Sequence, residues 1–187
     1  MNDNNQTTDG VYALQNHLYF YATITDTTIA ALLKELHTLQ NDMCWQQVRL
    51  GLDAPPPITL HISSVGGDLW PSFAAADRLA ACSVPVTSIV EGVAASGATL
   101  LSVGCARRLI TAHSTMMIHQ LSDGLWGTHE EFKDRLDWQK KEIKLMIDFY
   151  ATHSNMTKKA VREALKRDTS YTPSEALAAG LVDGIVS

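Results

Sequence analysis

The sequence predicts one α/β domain built on a mostly parallel sheet, and three observations carry that prediction. Two strand-like runs, Ile58–Ser63 and Pro85–Glu91, each lead through small residues into a helical pattern. That rhythm of strand, small turn and helix is the mark of βαβ units, in which a crossover returns the chain to a parallel neighbour. With 187 residues, 45% of them hydrophobic and 19% charged, the chain has the size and composition of one domain with a sizeable core.

Each element has a local cause. His17–Ile24 is rich in aromatic and β-branched residues and reads as the first strand. Asp26 caps a helix through about Leu39, because Ile29, Leu32, Leu33, Leu36 and Leu39 recur at helical spacing. From Gln40 to Pro57 the pattern breaks, and Ala54-Pro55-Pro56-Pro57 is a stiff extended connector. Ile58–Ser63 alternates as a strand, and Val65-Gly66-Gly67 turns it into a helix over roughly Pro71–Cys82. Pro85–Glu91 is the next strand. Beyond it, small residues surround Ser96 in Gly92-Val93-Ala94-Ala95-Ser96-Gly97-Ala98, before an apolar helix. Arg108–Ala112 and Thr115–His119 follow as two short strands.

Thr128-His129-Glu130-Glu131 is a capping box opening a helix through about Ala151. Its apolar positions Phe132, Leu136, Ile143, Met146, Ile147 and Tyr150 form a narrow stripe on a densely charged background. A helix of ~24 residues spans ~36 Å, long for this domain, so part of it is expected to project and to meet a second copy of the chain. The alternative is a helix lying along its own sheet. Thr157–Lys166 is a further helix, Thr172-Pro173-Ser174-Glu175 opens another with a capping box and an early proline, and Gly180 ends it. Leu181–Val186 closes as a strand. The expected layout is a single domain over 1–187, with a flexible N-terminal segment at 1–16.

Charge and cysteine usage exclude several classes. A net charge of −5, from 15 basic and 20 acidic residues with no basic run, argues against a nucleic-acid or anionic-membrane partner. No apolar run reaches the ~18 residues that would indicate a membrane span. Cys44, Cys82 and Cys105 lie far apart, an odd number suited to free thiols in a reducing compartment. The polar, acidic start is neither a secretory signal nor a transit peptide. A cytoplasmic location is expected.

The chemistry centres on Ser96. Small neighbours permit a sharp strand-to-helix turn, and the helix start offers unpaired N–H groups to a developing negative charge. Taken alone, the same stretch also fits a helix N-cap. A serine needs a base, and the base needs a third group to hold it. His119 ends an apolar strand ahead of a glycine-containing loop, where catalytic groups of α/β folds gather. Asp168 lies between two helices and could orient an imidazole, but with 20 acidic residues spacing alone does not select it. Gly66-Gly67 follows a parallel neighbour strand. Backbone N–H groups of Gly67 and Gly97 could therefore face one crevice as an oxyanion hole, each donor of a kind worth roughly 2.7–4 kcal/mol. The plainer alternative is a tight turn that binds nothing.

Four motifs in order, ITLHISSVGG, EGVAASGA, MMIHQ and RDTSYTPSEALAAGLVD, resemble the ClpP family, the proteolytic subunits of Clp proteases, over roughly Leu18–Val186. The resemblance implies Ser96 as nucleophile, His119 as base and Asp168 as orienting acid, with Gly67 and Gly97 supplying the oxyanion N–H groups. It thereby selects the acid that spacing could not. It also implies a ClpP/crotonase-like fold of stacked ββα units with a projecting handle helix (region 120–153) and two stacked heptameric rings enclosing the active sites. The function implied is serine endopeptidase action on unfolded polypeptides fed by an ATP-driven AAA+ unfoldase, with no metal or organic cofactor. Departures from the pattern are a short polar N-terminus, His61 where an aromatic usually sits in the unfoldase-docking strand, Val65 for the usual proline, and a longer stretch over 40–57. None touches the triad. The alternatives are a non-catalytic ring or shell subunit and a crotonase-type acyl-CoA enzyme.

Overall fold

The computed structural model describes residues 10–122, 124 and 126–186. Its strands form one eight-stranded sheet in the order β1-β2-β3-β4-β5-β8, with β6 pairing with β4 and β7 with β6. The first strands are β1 (Val11–Leu14), β2 (His17–Phe20), β3 (Ile58–Ser64) and β4 (Val86–Ala95). After them come β5 (Arg107–Thr111), β6 (Thr115–Ile118), β7 (Thr169–Tyr171) and β8 (Gly184–Val186). Pairings β2–β3, β3–β4, β4–β5, β4–β6 and β5–β8 are parallel, whereas β1–β2 and β6–β7 are antiparallel. Central strand β3 carries Ile58, Leu60 and Ile62 at 0% exposure, the near-continuous burial expected of a parallel strand covered by helices.

The helices are α1 (Asp26–Leu50), α2 (Leu69–Ala80), α3 (Gly97–Val103), α4 (His129–His153), α5 (Lys158–Lys166) and α6 (Pro173–Ala178). Helix α1 continues eleven residues beyond the expected end at Leu39, to a left-handed cap at Gly51. The core-facing stripe Ile29, Leu32, Leu36, Leu39, Met43 ends at Met43, and the later apolar residues Trp45, Val48 and Leu50 face solvent. Amphipathic periodicity therefore vanishes while the helix goes on. The capping boxes at Thr128 and Thr172 form as expected, each threonine oxygen accepting a backbone N–H three residues on.

Two strands lie outside the expected set. Residues 11–14, expected within a flexible segment spanning 1–16, pair with β2 through a two-residue turn in which Gln15 adopts φ 55°. Residues 1–9 of that segment lie outside the described residues. The short β7 was not anticipated. Strand β4 is longer than Pro85–Glu91 because Gly92, at φ 80°, lets the chain bend and continue. Its first half pairs with β5 and its last three residues with β6.

Only the C-terminal half of α4 enters the core, through Glu142, Met146, Ile147 and Tyr150, and none of residues 129–141 that precede them is buried. The helix therefore projects, leaving Leu136 and Trp138 about half exposed. No helix among the described residues is long and apolar enough to cross a membrane.

Candidate active site

Ser96 is delivered by strand register. Ala95 pairs with Met117 in the parallel β4–β6 ladder, and the Ser96 N–H donates to the Met117 carbonyl at 2.8 Å. His119, two residues further along the β6 chain, is thus brought level with the serine. The two side chains are hydrogen-bonded, Ser96 Oγ to His119 Nε2 at 2.6 Å. Ser96 holds φ 54° and ψ −130°, a combination that costs a non-glycine residue about 1–3 kcal/mol. Although it stands at the N-cap of α3, its side chain makes no capping bond. The hydroxyl faces the imidazole instead.

The floor under the serine is glycine by necessity. A Cβ on Gly66, at φ 91°, would lie 2.5 Å from the Ala95 carbonyl oxygen and 2.7 Å from Ser96 Cβ. Ile24 donates its N–H to Gly66 O and accepts from Asp68 N, so the intervening Gly67 N–H points away from that bridge. Neither the Gly67 nor the Gly97 N–H has a hydrogen-bond acceptor among the described residues, and both glycines line the same cleft as Ser96 and His119. Two free donors beside an activated hydroxyl can stabilise the oxyanion of a tetrahedral intermediate.

Asp168 reaches this corner through a different ladder. In the antiparallel β6–β7 pair Ile118 opposes Thr169, so the next pair outward is His119 and Asp168. Asp168 is exposed, in the left-handed conformation at φ 50°, and its carboxylate enters no hydrogen bond or ion pair among the described residues. The structure thus joins Ser96 to His119 and leaves Asp168 a neighbour by register, without a bond to the imidazole.

Sequence reasoning missed a brace behind the serine. Thr99 Oγ1 donates to the Ser96 carbonyl at 2.6 Å and lies 2.5 Å from the Tyr150 hydroxyl of α4. Tyr150 is 1% exposed, and burial pushes its hydroxyl pKa well up, which keeps it protonated as the donor to Thr99. The only signal for this in the sequence is that Tyr150 belongs to the α4 apolar stripe.

The cleft has a volume of about 560 Å³. Its walls include Trp70, Leu100, Met146 and Tyr150, with Asp26, Asp68, Glu142 and Arg135 as charged members. Among the described residues no group of three or more His, Cys, Asp or Glu side chains is arranged to hold a metal ion. The three cysteines are free, and burial pushes the Cys105 thiol up to about 12, too high for a nucleophile.

A second histidine cluster lies on the sheet face formed by β2–β4. His61 Nδ1 lies 2.8 Å from Glu91 Oε1 and its Nε2 2.8 Å from His17 Nδ1. Tyr21 donates to the other Glu91 oxygen, and Tyr19 stacks on His61 at 4.5 Å between ring centroids. Burial alone would raise the Glu91 carboxyl, but the hydrogen bonds from Tyr21 and His61 outweigh it and hold the group below the usual carboxylate range.

Comparison with known proteins places the chain. The model of the Clp protease family matches residues 12–187. The ATP-dependent Clp protease proteolytic subunit 1 of Chlamydia abortus is 34% identical over 175 residues, covering 90% of this chain and 85% of that protein. The proteolytic subunit 2 of Rhodococcus jostii is 30% identical over 184 residues, covering 96% and 89% respectively. Among solved structures, a mutant of ClpP1 from Listeria monocytogenes superposes with a TM-score of 0.77 over 89% of this chain and 88% of that one, at 18% identity. That likeness confirms the expected ClpP-type fold.

Proposed function

Because the chain belongs to the Clp protease family and is a serine peptidase by that membership, we propose that Ser96, His119 and Asp168 form its catalytic triad, with Gly67 and Gly97 as the oxyanion hole. Ser96 Oγ attacks the peptide carbonyl as His119 Nε2 takes its proton. The oxyanion is held by the Gly67 and Gly97 N–H groups, and His119 then protonates the leaving amine as the C–N bond breaks. Water, deprotonated by the same imidazole, hydrolyses the acyl-enzyme and restores the serine. Asp168 orients His119 once its carboxylate closes on the imidazole, a hydrogen bond that tightens in the occupied site.

The observation that carries this assignment is the 2.6 Å bond between Ser96 Oγ and His119 Nε2, above two N–H donors that have no acceptor among the described residues. The test is hydrolysis of short fluorogenic peptides by the purified protein. Ser96→Ala and His119→Ala are each expected to lower kcat by about 10³-fold or more while leaving the particle mass unchanged. Wild-type rates in Ser96→Ala would contradict the assignment. Tight binding of an acyl-CoA in place of peptide hydrolysis would favour a crotonase-type enzyme, and an inert but assembled particle would favour a shell subunit.

The substrates proposed are unfolded polypeptides, delivered by an ATP-driven unfoldase of the kind implied by the relatives' name, ATP-dependent Clp protease. Assembly into two stacked seven-membered rings is proposed on the projecting half of α4, whose exposed Leu136 and Trp138 suit a face covered by another copy. Mass measurement of the native particle tests this, and a stable monomer would contradict it.

A further inference from the structure

The wall of the cleft contains a buried carboxylate that the proposed chemistry does not use. Helix α4 turns Glu142, Met146 and Tyr150 toward the cleft at positions i, i+4 and i+8, a ladder ~12 Å long at 1.5 Å per residue. The Tyr150 end is fastened to the Ser96 turn through Thr99, so Glu142 marks the end remote from the nucleophile.

Glu142 is 2% exposed. Its Oε1 accepts from Trp70 Nε1 at 3.2 Å and from Arg135 Nη1 at 3.3 Å. Oε2 is buried and accepts no hydrogen bond, although Arg135 Nη1 lies 3.3 Å away outside hydrogen-bond geometry. Among the described residues it is the only buried side-chain nitrogen or oxygen without a hydrogen-bond partner. Buried carboxylate oxygens are normally hydrogen-bonded, so one held only by its ion pair with Arg135 in the wall of the cleft points to a donor that arrives with the substrate.

The remaining charges have the same sense. Asp26 and Asp68 also line the cleft, and Asp68 makes no capping bond although it is the N-cap of α2. Three carboxylates thus face one guanidinium among the charged lining residues, a field that favours cationic groups. Met146 and Leu100 supply apolar surface in the cleft that Ser96 and Glu142 also line, suited to the methylene stem of a long basic side chain.

We propose that Glu142 is a specificity-determining residue, and that the cleft prefers polypeptide segments carrying lysine or arginine beside the scissile bond. The stem lies along Met146 and the charged tip donates to Glu142 Oε2. This rests on Ser96 being the nucleophile.

The test uses the assembled full-length protein and fluorogenic peptides differing only in the residue before the scissile bond: Lys, Arg, Leu or Glu. Wild type is expected to show kcat/KM at least about tenfold higher for Lys and Arg than for Leu, with Glu lowest. Glu142→Gln is expected to remove about tenfold from the Lys and Arg values, mainly through KM, and to leave Leu within about twofold. Arg135→Ala, which frees the carboxylate, is expected to raise the Lys-to-Leu ratio and serves if Glu142→Gln does not fold. A wild-type preference for Leu, or a Lys-to-Leu ratio unchanged in both variants, overturns the proposal. Cleavage of the Leu peptide with phosphonate labelling of Ser96 shows that the catalytic assignment stands when specificity alone fails. Loss of both removes the assignment and this proposal with it.

Discussion

His119 and His61 are both reached along parallel strands, yet only one has a hydroxyl to act on. His61 has the more complete hydrogen bonding, with Glu91 on one ring nitrogen and His17 on the other, both at 2.8 Å. His119 has a bond to Ser96 at 2.6 Å and none to a carboxylate among the described residues. On the proposed assignment, a histidine–carboxylate pair therefore does not mark the active site here. The difference lies in the backbone, because His119 faces a strained serine above two glycine N–H groups without an acceptor among the described residues, whereas the groups around His61 are side chains that satisfy one another. In the proposed site, reactivity would come from unsatisfied donors at a strained turn, a feature the hydrogen-bonded His61 cluster does not share.

The largest effects should separate the two histidines. His119→Ala is expected to lower peptide hydrolysis by about 10³-fold or more, and His61→Ala by no more than about twofold under unfoldase-independent conditions. Comparable losses in both would erase the distinction. Next in size is the glycine floor. Gly66→Ala places a methyl 2.5 Å from the Ala95 carbonyl oxygen, so it is expected to destabilise the fold by at least the ~1–3 kcal/mol of a strained residue and to displace Ser96. Thermal melts and phosphonate labelling of the same sample would read both losses. Wild-type values would mean that the turn does not frame the serine.

Asp168→Asn should fall between the histidines, lowering kcat by about 10²-fold with little change in Tm, since the carboxylate makes no hydrogen bond or ion pair among the described residues. An unchanged kcat would remove Asp168 from the triad. The smallest effect belongs to the second cluster. Glu91 has a folded-state pKa below its unfolded value, so its contribution to stability is full above the ordinary carboxylate range and is lost as pH falls through the folded value. Glu91→Gln is therefore expected to lower Tm by a few degrees at most near pH 7, with the difference shrinking toward zero below about pH 4. A constant difference across that range would contradict the role of its charge.

The fold was legible where burial and local chemistry agree. The α1 stripe, the capping boxes at Thr128 and Thr172, and the β3 and β4 strands all express their role in residue order. Legibility failed where one of those signals is missing. Beyond Met43 the apolar side chains Trp45, Val48 and Leu50 of α1 are exposed, so periodicity said nothing about the end of the helix. The β1 hairpin turns through Gln15 and Asn16, which lack the glycine that usually announces such a turn. Within the site, Ser96, His119 and the glycines could be proposed from strand ends and small residues. Asp168 could not, because its nearness to His119 depends on an antiparallel ladder between segments about fifty residues apart. Thr99 and Glu142 were invisible for the same reason, since each gains its meaning only from packing between elements.

The most direct test of the central claim is the site and rate of labelling by a serine-reactive phosphonate, mapped by mass spectrometry. The account predicts a single adduct on Ser96, absent in Ser96→Ala and slowed by about 10²-fold or more in His119→Ala. An adduct that persists in Ser96→Ala, or a rate indifferent to His119, would contradict it.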